Sequence, residues 1–152
     1  MASLDLVQLL DGSIVSSTDG SGFLTKHTSA EVVLDKPVAL YFSAGWCNPC
    51  KGFTPVLRKA YEEQQSQDRR IEIIFVSSDH DEDAFLDYYS HMPWKAVDYE
   101  RDDVRETLKA TLNIKSLPTL VVLGKNGQVL TTNGRAAIET NAAAALAEWA
   151  AC

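Results

Sequence analysis

The sequence predicts an α/β domain in which a central mixed β-sheet carries helices on both faces. Short apolar runs alternate with helix-period patterns along most of the chain, as is typical of parallel strands covered by helices. Asn126-Gly127 separates two further apolar runs, which indicates a β-hairpin and an antiparallel edge. The length favours a single domain over residues 1–152, with an N-terminal extension over 1–35 and a core over 36–152.

The N-terminal extension is predicted to contain a β-hairpin. The apolar run Leu6–Leu10 is interpreted as its first strand, because it stands directly before a turn signal. The following segments are a turn at Asp11-Gly12, a returning strand over Ser13–Ser16 and a loop over Thr18–Gly22. A short helix capped by Thr28 or Ser29 then ends at Leu34.

The core is predicted to alternate strands and helices before it ends in a hairpin and a last helix. Val38–Ala44 and Ile71–Val76 are apolar at nearly every position, which suits strands that are covered on both faces. The other core elements are a helix after Cys47, a helix capped by Ser77–Asp79, a strand at Ala96-Val97, a helix over Asp102–Leu112, strands over Leu117–Leu123 and Val129–Thr132, and a helix over Glu139–Ala150.

Composition excludes several classes of function. The net charge is −7 and Lys and Arg form no cluster, so no nucleic-acid partner is expected. No apolar run of about 18 residues is present, so no membrane span is expected. Few cysteines and an N-terminus without a basic region predict a reducing compartment, the cytoplasm. Gly-x-Gly-x-x-Gly is absent, and we expect no flavin or nicotinamide cofactor.

The pair Cys47 and Cys50 lies between a predicted strand and a predicted helix. The free N–H groups and the macrodipole at a helix N-terminus favour an anion, so they make a Cys47 thiolate available near neutral pH. Cys50 follows one turn later, where it can attack a mixed disulfide formed by Cys47. This spacing in a βα unit predicts a redox-active pair, with Cys47 as the nucleophile and Cys50 as the resolving thiol.

A metal site is the alternative interpretation of the two cysteines. A structural zinc ion normally takes four Cys or His ligands, and His27, His80 and His91 show no paired ligand spacing with the cysteines. We therefore expect no metal. The third cysteine, Cys152, is interpreted as an exposed terminal thiol without a role, and a redox or intermolecular role is the alternative.

Four sequence blocks together resemble one known superfamily. They are Tyr41-Phe42-Ser43-Ala44-Gly45-Trp46-Cys47-Asn48-Pro49-Cys50-Lys51-Gly52-Phe53-Thr54-Pro55, Phe75-Val76-Ser77-Ser78-Asp79, Met92-Pro93-Trp94-Lys95-Ala96-Val97 and Leu117-Pro118-Thr119-Leu120. In this order, between about residues 35 and 132, they resemble the thioredoxin superfamily, and in particular its tryparedoxin and nucleoredoxin branch. The resemblance implies a thioredoxin fold.

The resemblance also implies the residues that meet a substrate. Pro118 matches the superfamily's cis-proline, which faces the cysteine pair, and Leu117 would offer its backbone to an extended substrate. Trp46 matches an exposed indole that shields the thiolate and serves in docking. Asn48 and Pro49 complete this contact surface, and Asn48 departs from the proline that is usual in the related branch.

The implied activity is that of a thiol–disulfide oxidoreductase acting as a reductant. Oxidised peroxiredoxins are the implied acceptors, and the implied donor is a glutathione-derived dithiol such as trypanothione, or a reductase. A monomer is expected. The alternative is a nucleoredoxin-like module that binds and regulates a partner according to the redox state of the pair.

Two further positions depend on this resemblance. Thioredoxins carry a buried acid where this chain has Tyr41, so the proton acceptor for Cys50 is left open among water, Glu72 and Asp79. We expect both acids to be solvated surface groups.

Met92 and Trp94 are expected in the core or as loop anchors, rather than in a partner groove.

Overall fold

A computed structural model describes residues 3–17 and 24–152. The predicted loop over Thr18–Gly22 lies outside them. The described strands are β1 (Ile14–Ser17), β2 (Leu24–His27), β3 (Val38–Ser43), β4 (Glu72–Ser77), β5 (Lys95–Val97), β6 (Thr119–Leu123) and β7 (Val129–Thr131). The described helices are α1 (Leu6–Leu10), α2 (Ser29–Val33), α3 (Asn48–Gln64), α4 (Glu82–Tyr89), α5 (Asp102–Thr111) and α6 (Gly134–Ala150).

The strands form one mixed sheet in the order β2-β1-β5-β4-β3-β6-β7. β3 pairs in parallel with β4, which pairs in parallel with β5. The hairpin of β6 and β7 adds an antiparallel edge beside β3, and β1 and β2 add another beside β5. The predicted α/β class with a mixed sheet is therefore confirmed. All six residues of β3 are buried, which agrees with a sequence that is apolar at nearly every position.

The two faces of the sheet pack against different helices, because successive strand side chains point to opposite sides. Tyr41 and Phe75 face a core that includes residues of α3, α4 and α6. Phe42 and Ile74 face a second core that includes residues of α1, α2 and α5. Trp94 is buried in the first core together with Met92, as predicted. The cysteine pair belongs to this first core.

The N-terminal hairpin uses strands other than those predicted. Leu6–Leu10 forms helix α1, and the hairpin consists of β1 and β2. The side chain of Asp5 caps α1 by accepting a hydrogen bond from Gln8 N, and Leu6 and Leu10 are both buried, one helical turn apart. A five-residue apolar run fits a strand and a helical turn equally well, so the strand prediction was wrong.

Two other helices begin at residues that differ from the prediction. Asp81, and not the segment Ser77–Asp79, caps α4, through a 2.8 Å hydrogen bond from Ala84 N. Helix α6 begins at Gly134, earlier than predicted, and is interrupted at Asn141, whose backbone is extended. The Asn141 side chain accepts a hydrogen bond from Ala144 N and so caps the second part of the helix.

Gly127 in the β6–β7 turn is expected to tolerate no side chain. Its φ is +81°, and a Cβ atom there would lie 2.1 Å from the carbonyl oxygen of Leu4. Gly127→Ala should therefore lower the free energy of unfolding by about 2 kcal/mol or more. Chemical denaturation of the purified variant measures this loss.

Gly52→Ala is the matched control for this variant. Gly52 lies in α3, and a Cβ atom there would have no neighbour within 4 Å. Alanine should raise the free energy of unfolding by about 0.5–1 kcal/mol, because it loses less backbone entropy in a helix. Equal stability changes in the two variants would contradict the assigned turn geometry.

Candidate active site

The two cysteines lie at the beginning of α3. Cys47 is the N-cap residue, and Pro49 follows in the first helical turn, where a missing N–H costs no hydrogen bond. Cys47 is 8% exposed and Cys50 is fully buried, and both are free thiols. The N-cap position places Cys47 Sγ at the positive end of a 17-residue helix. Cys50 lies on the next turn, toward the core.

The segment before β6 lies opposite Cys47, because β6 pairs with β3, the strand that precedes the cysteines. The Leu117–Pro118 peptide bond is cis, as the resemblance implies. The Cys47 thiol donates a hydrogen bond to the carbonyl oxygen of Leu117, with a sulfur–oxygen distance of 3.7 Å. Leu117 is half-buried and Pro118 is buried. The fold thus brings these two predicted site residues to the cysteine, although Leu117 is 70 positions away in the sequence and Pro118 follows it.

The three other predicted contact residues are exposed around Cys47. The Trp46 side chain is 55% exposed, and its indole N–H donates a 2.9 Å hydrogen bond to the carbonyl oxygen of Ser78. The His80 ring lies edge-on to this indole, with 5.5 Å between the ring centroids. Asn48 and Pro49 are exposed on the first turn of α3. Together these three residues form a surface beside Cys47, the more exposed of the two cysteines, and the hydrogen bond to Ser78 holds the indole in place.

Asp79 is buried and supports the turn before Cys47, so its expected place on the solvated surface was wrong. Its carboxylate accepts a 2.8 Å hydrogen bond from Gly45 N and a 2.6 Å hydrogen bond from the Ser77 hydroxyl. The Tyr99 hydroxyl donates to the Asp79 carbonyl oxygen at 2.8 Å. The two hydrogen bonds to the Asp79 carboxylate compensate for the free-energy cost of burying it. Asp79 therefore positions the backbone of the Gly45-Trp46 turn.

Arg105 supports the same segment from α5. It is buried, and it donates hydrogen bonds to the carbonyl oxygens of Ser77 and Tyr99 and to the carboxylate of Asp102. Its guanidinium carbon lies 4.2 Å from the centre of the Tyr99 ring. Arg105 and Asp79 thus hold the segment Ser77–Asp79 from both sides. This fixes the Ser78 carbonyl oxygen, which accepts the hydrogen bond from the Trp46 indole.

Cys50 is surrounded by apolar atoms and hydroxyl groups. Burial, together with a smaller effect of the contact with Cys47, raises the pKa of the Cys50 thiol from its ordinary value of 9.0 to about 11. Hydrogen bonds from the Ser43 side chain and the Ala44 backbone act in the opposite direction. Tyr41, at the position of the thioredoxin acid, is fully buried and hydrogen-bonded to Thr54 at 2.6 Å.

The raised pKa of Cys50 predicts a loss of stability in alkali. Below pH 9 the thiol is protonated in the folded and unfolded chains. Between about pH 9 and about pH 11 the unfolded chain releases this proton and the folded chain keeps it. Stability then falls as pH rises, by about 1–2 kcal/mol for this group. Urea denaturation of the reduced protein at several pH values measures the change.

Cys50→Ser is the control for this titration. Tyr41 and Tyr88 also have pKa values raised by burial, and they remain in the variant. The difference between the two proteins therefore isolates Cys50. Identical pH dependence of unfolding in both proteins would contradict the assigned environment of this thiol.

Within residues 3–17 and 24–152, no three His, Cys, Asp or Glu side chains cluster in a way that suits a metal ion. Over the same ranges, no helix has both the length and the apolar character to cross a bilayer.

A Cys-x-x-Cys pair that caps a helix opposite a cis-proline, on a mixed sheet of this topology, defines the class of thioredoxin-fold proteins. Comparison with known families agrees, because the Thioredoxin-like family matches residues 35–129. The chain therefore belongs to the Thioredoxin-like family, whose members generally have oxidoreductase activity.

Individual relatives place the chain among tryparedoxin- and nucleoredoxin-like proteins. Nucleoredoxin of Bos taurus is 45% identical over 98 residues, which are 64% of this chain and 22% of that protein. Tryparedoxin of Trypanosoma brucei brucei is 38% identical over 104 residues, which are 68% of this chain and 72% of that protein. The chain thus spans about a fifth of the nucleoredoxin and most of the tryparedoxin.

A solved structure gives the same assignment. Tryparedoxin II from C. fasciculata has a TM-score of 0.77 and 31% identity to this chain, and the match covers 90% of this chain and 88% of that one. A second structure of tryparedoxin II, with a TM-score of 0.77, 29% identity and coverage of 90% and 92%, is a complex with glutathionylspermidine. The thioredoxin fold that the sequence predicts is confirmed by these structures.

Proposed function

We propose that this chain is a dithiol–disulfide oxidoreductase that reduces protein disulfides. The observation that carries the proposal is the pair of free thiols at the N-terminus of α3, with Cys47 against the backbone of Leu117 and Cys50 buried behind it. Cys47 attacks the disulfide of a partner, and one partner sulfur leaves as a thiolate. Cys50 then attacks Cys47 Sγ, so that the Cys47–Cys50 disulfide forms and the second partner sulfur leaves reduced.

The substrate is proposed to lie across the surface of Trp46, Asn48, Pro49, Leu117 and Pro118. Trp46, Asn48 and Pro49 are exposed, and the Leu117 backbone lies next to the reacting sulfur. An extended partner segment can pair with this backbone as an added strand, which would align its disulfide with Cys47. Oxidised peroxiredoxins are the acceptors that we propose.

The donor is proposed to be a small dithiol derived from glutathione, such as trypanothione. The complex of tryparedoxin II with glutathionylspermidine supports this class of donor, and a reductase is the alternative. We further propose that the chain acts as a monomer in the cytoplasm and needs no flavin, nicotinamide or metal, because the cysteine pair itself carries two electrons.

The experiment supplies one donor at a time and measures the reduction of insulin or of an oxidised peroxiredoxin. Trypanothione, glutathione, and NADPH with thioredoxin reductase are the three donors. Faster multiple turnover with trypanothione than with the other two supports the proposed donor class, and turnover only with the reductase supports the alternative donor. No turnover with any donor would contradict the proposed enzyme.

A redox-sensitive binding module is the second candidate. The observation that favours it is the 45% identity to a nucleoredoxin of which this chain spans only about a fifth. Such a module would hold a partner protein in one redox state of the cysteine pair and release it in the other. Stoichiometric capture without turnover distinguishes it from the enzyme.

A further inference from the structure

Four buried hydroxyl groups form a hydrogen-bonded chain behind Cys50. The Ser43 hydroxyl lies 2.7 Å from the Tyr88 hydroxyl, which lies 2.6 Å from the Thr54 hydroxyl. The Thr54 hydroxyl lies 2.6 Å from that of Tyr41. All four residues are at least nine-tenths buried. Ser43 is the member of this chain whose hydroxyl interacts with the Cys50 thiol, and this interaction lowers the pKa of the thiol.

The local sequence explains how these groups meet. Tyr41 and Ser43 are two residues apart on β3 and therefore point to the same face of the sheet. Cys50 and Thr54 are four residues apart on α3 and therefore lie on the same face of the helix. Tyr88 from α4 lies between the two elements and bridges their hydroxyl groups. The arrangement replaces the single buried acid of thioredoxins with polar groups from three elements.

We infer that Ser43, Tyr88 and Thr54 form a relay that accepts the proton of Cys50 when this thiol resolves a mixed disulfide, and that Tyr41 orients the relay. This inference rests on the proposed function. The Cys50 proton passes to Ser43, the Ser43 proton to Tyr88, and the proton at the far end leaves to solvent. Cys50 Sγ then bonds to Cys47 Sγ as the bond from Cys47 to the partner sulfur breaks, and the partner leaves as a thiolate.

The direction of the relay follows from the position of Tyr41. Burial raises the pKa of its hydroxyl, so this group keeps its proton. Among the described residues the hydrogen-bond partner of this hydroxyl is Thr54, at 2.6 Å, and we assign Tyr41 as the donor. Before the transfer, Cys50 donates to Ser43, Ser43 donates to Tyr88, and Tyr88 donates to Thr54, whose own proton is the one that leaves. After each proton has moved one step, Thr54 donates to Tyr88, Tyr88 donates to Ser43, and Ser43 donates to Cys50. Each donor thus points toward the sulfur on which the negative charge forms, and hydrogen bonds to a charged acceptor are stronger than those to a neutral one.

A surface groove gives the proton a way out. The groove has a volume of about 690 Å³, and Thr54 and Tyr88 line it together with Trp46 and Lys51. The middle of the relay therefore borders the groove, whereas Tyr41 is the closed end.

Other titratable groups around Cys50 come from each packed element. Cys47 and Lys51 lie on α3, Tyr41 lies on β3 and Tyr88 on α4. Asp79, which follows β4, is engaged by Gly45 and Ser77. Arg135 of α6 lies over the Phe53 ring, 5.9 Å from its centre. The relay variants leave all of these groups in place except the hydroxyl that each one removes.

The test measures the two chemical steps separately, in a Cys152→Ser background, with an equimolar aromatic disulfide, 5,5′-dithiobis(2-nitrobenzoate). Attack by Cys47 releases the first thionitrobenzoate, and resolution by Cys50 releases the second. Thr54→Val should slow the second release at pH 7 by about tenfold or more and shift the pH dependence of its rate toward higher pH. The reason is that the Cys50 thiolate loses oriented hydrogen-bond donors. The first release should keep its rate.

Three further variants make the result specific. Thr54→Ser keeps the hydroxyl and should restore the pH profile, whereas Tyr88→Phe should repeat the defect if Thr54→Val folds poorly. Thr140→Val, on the exposed face of α6, is the control for removal of a helical threonine hydroxyl. An unchanged second phase in Thr54→Val and Tyr88→Phe would overturn the relay. A missing first phase in the parent protein would overturn the proposed function and the relay with it.

Discussion

Replacement of Cys47 by serine is expected to abolish the reduction of protein disulfides and to leave the fold intact. A serine hydroxyl does not ionise near neutral pH, so no nucleophile remains at the N-terminus of α3, and activity should fall by about 10³-fold or more. Insulin reduction at saturating donor measures this loss. The fold should persist because the Cys47 side chain makes no capping hydrogen bond to α3, and serine is favoured at the N-cap position.

Cys152→Ser is the matched control for this variant. It removes the exposed third thiol at the far end of α6, whereas the helix capped by Cys47 is unchanged. We expect its activity to equal that of the parent protein. Activity that survives in Cys47→Ser and disappears in Cys152→Ser would refute the assigned nucleophile.

Replacement of Cys50 by serine is expected to leave the first attack intact and to stop the reaction at the mixed disulfide. Cys47 keeps its position, but no thiol remains behind it to displace the partner. A covalent one-to-one adduct with an oxidised partner protein should therefore accumulate, whereas the parent protein should show almost none. Intact-mass measurement and electrophoresis without reductant measure the adduct, and both should lose it when dithiothreitol is added.

The double variant Cys47→Ser/Cys50→Ser controls for the third thiol. Because Cys152 is its remaining cysteine, an adduct in this protein would come from Cys152. We expect no adduct. Rapid multiple turnover by Cys50→Ser would show that a different group resolves the mixed disulfide, and the role assigned to Cys50 would then be wrong.

The sequence predicts most of the core of the fold because its signals are local and repeated. The continuous apolar runs identify β3 and β4, and the Asn-Gly turn identifies the β6–β7 hairpin. The N-terminal segment shows where such signals end. Leu6–Leu10 is too short for its period to be determined, and its helix depends on the cap at Asp5 and on packing against the second core.

The candidate active site likewise contains parts that the sequence predicts and parts that it does not. The cysteine pair and its helix follow from adjacent residues, and the resemblance supplies the match of Pro118. The burial of Asp79 does not follow from the sequence, because an aspartate after a strand looks like a surface group until Gly45 and Ser77 are placed around it. Of the hydroxyl groups behind Cys50, those of Ser43 and Thr54 have a spacing signal, whereas Tyr88 arrives only when α4 packs.

The different burial of the three tryptophans gives the protein a built-in optical probe. Trp94 and Trp149 are buried in the first core, whereas Trp46 is largely exposed and directly precedes Cys47. A soluble quencher such as iodide therefore reaches mainly one indole. The emission that iodide quenches reports on substrate binding and disulfide exchange at Cys47, and the emission that it does not quench reports on global unfolding. A single unlabelled sample therefore distinguishes partner binding from denaturation.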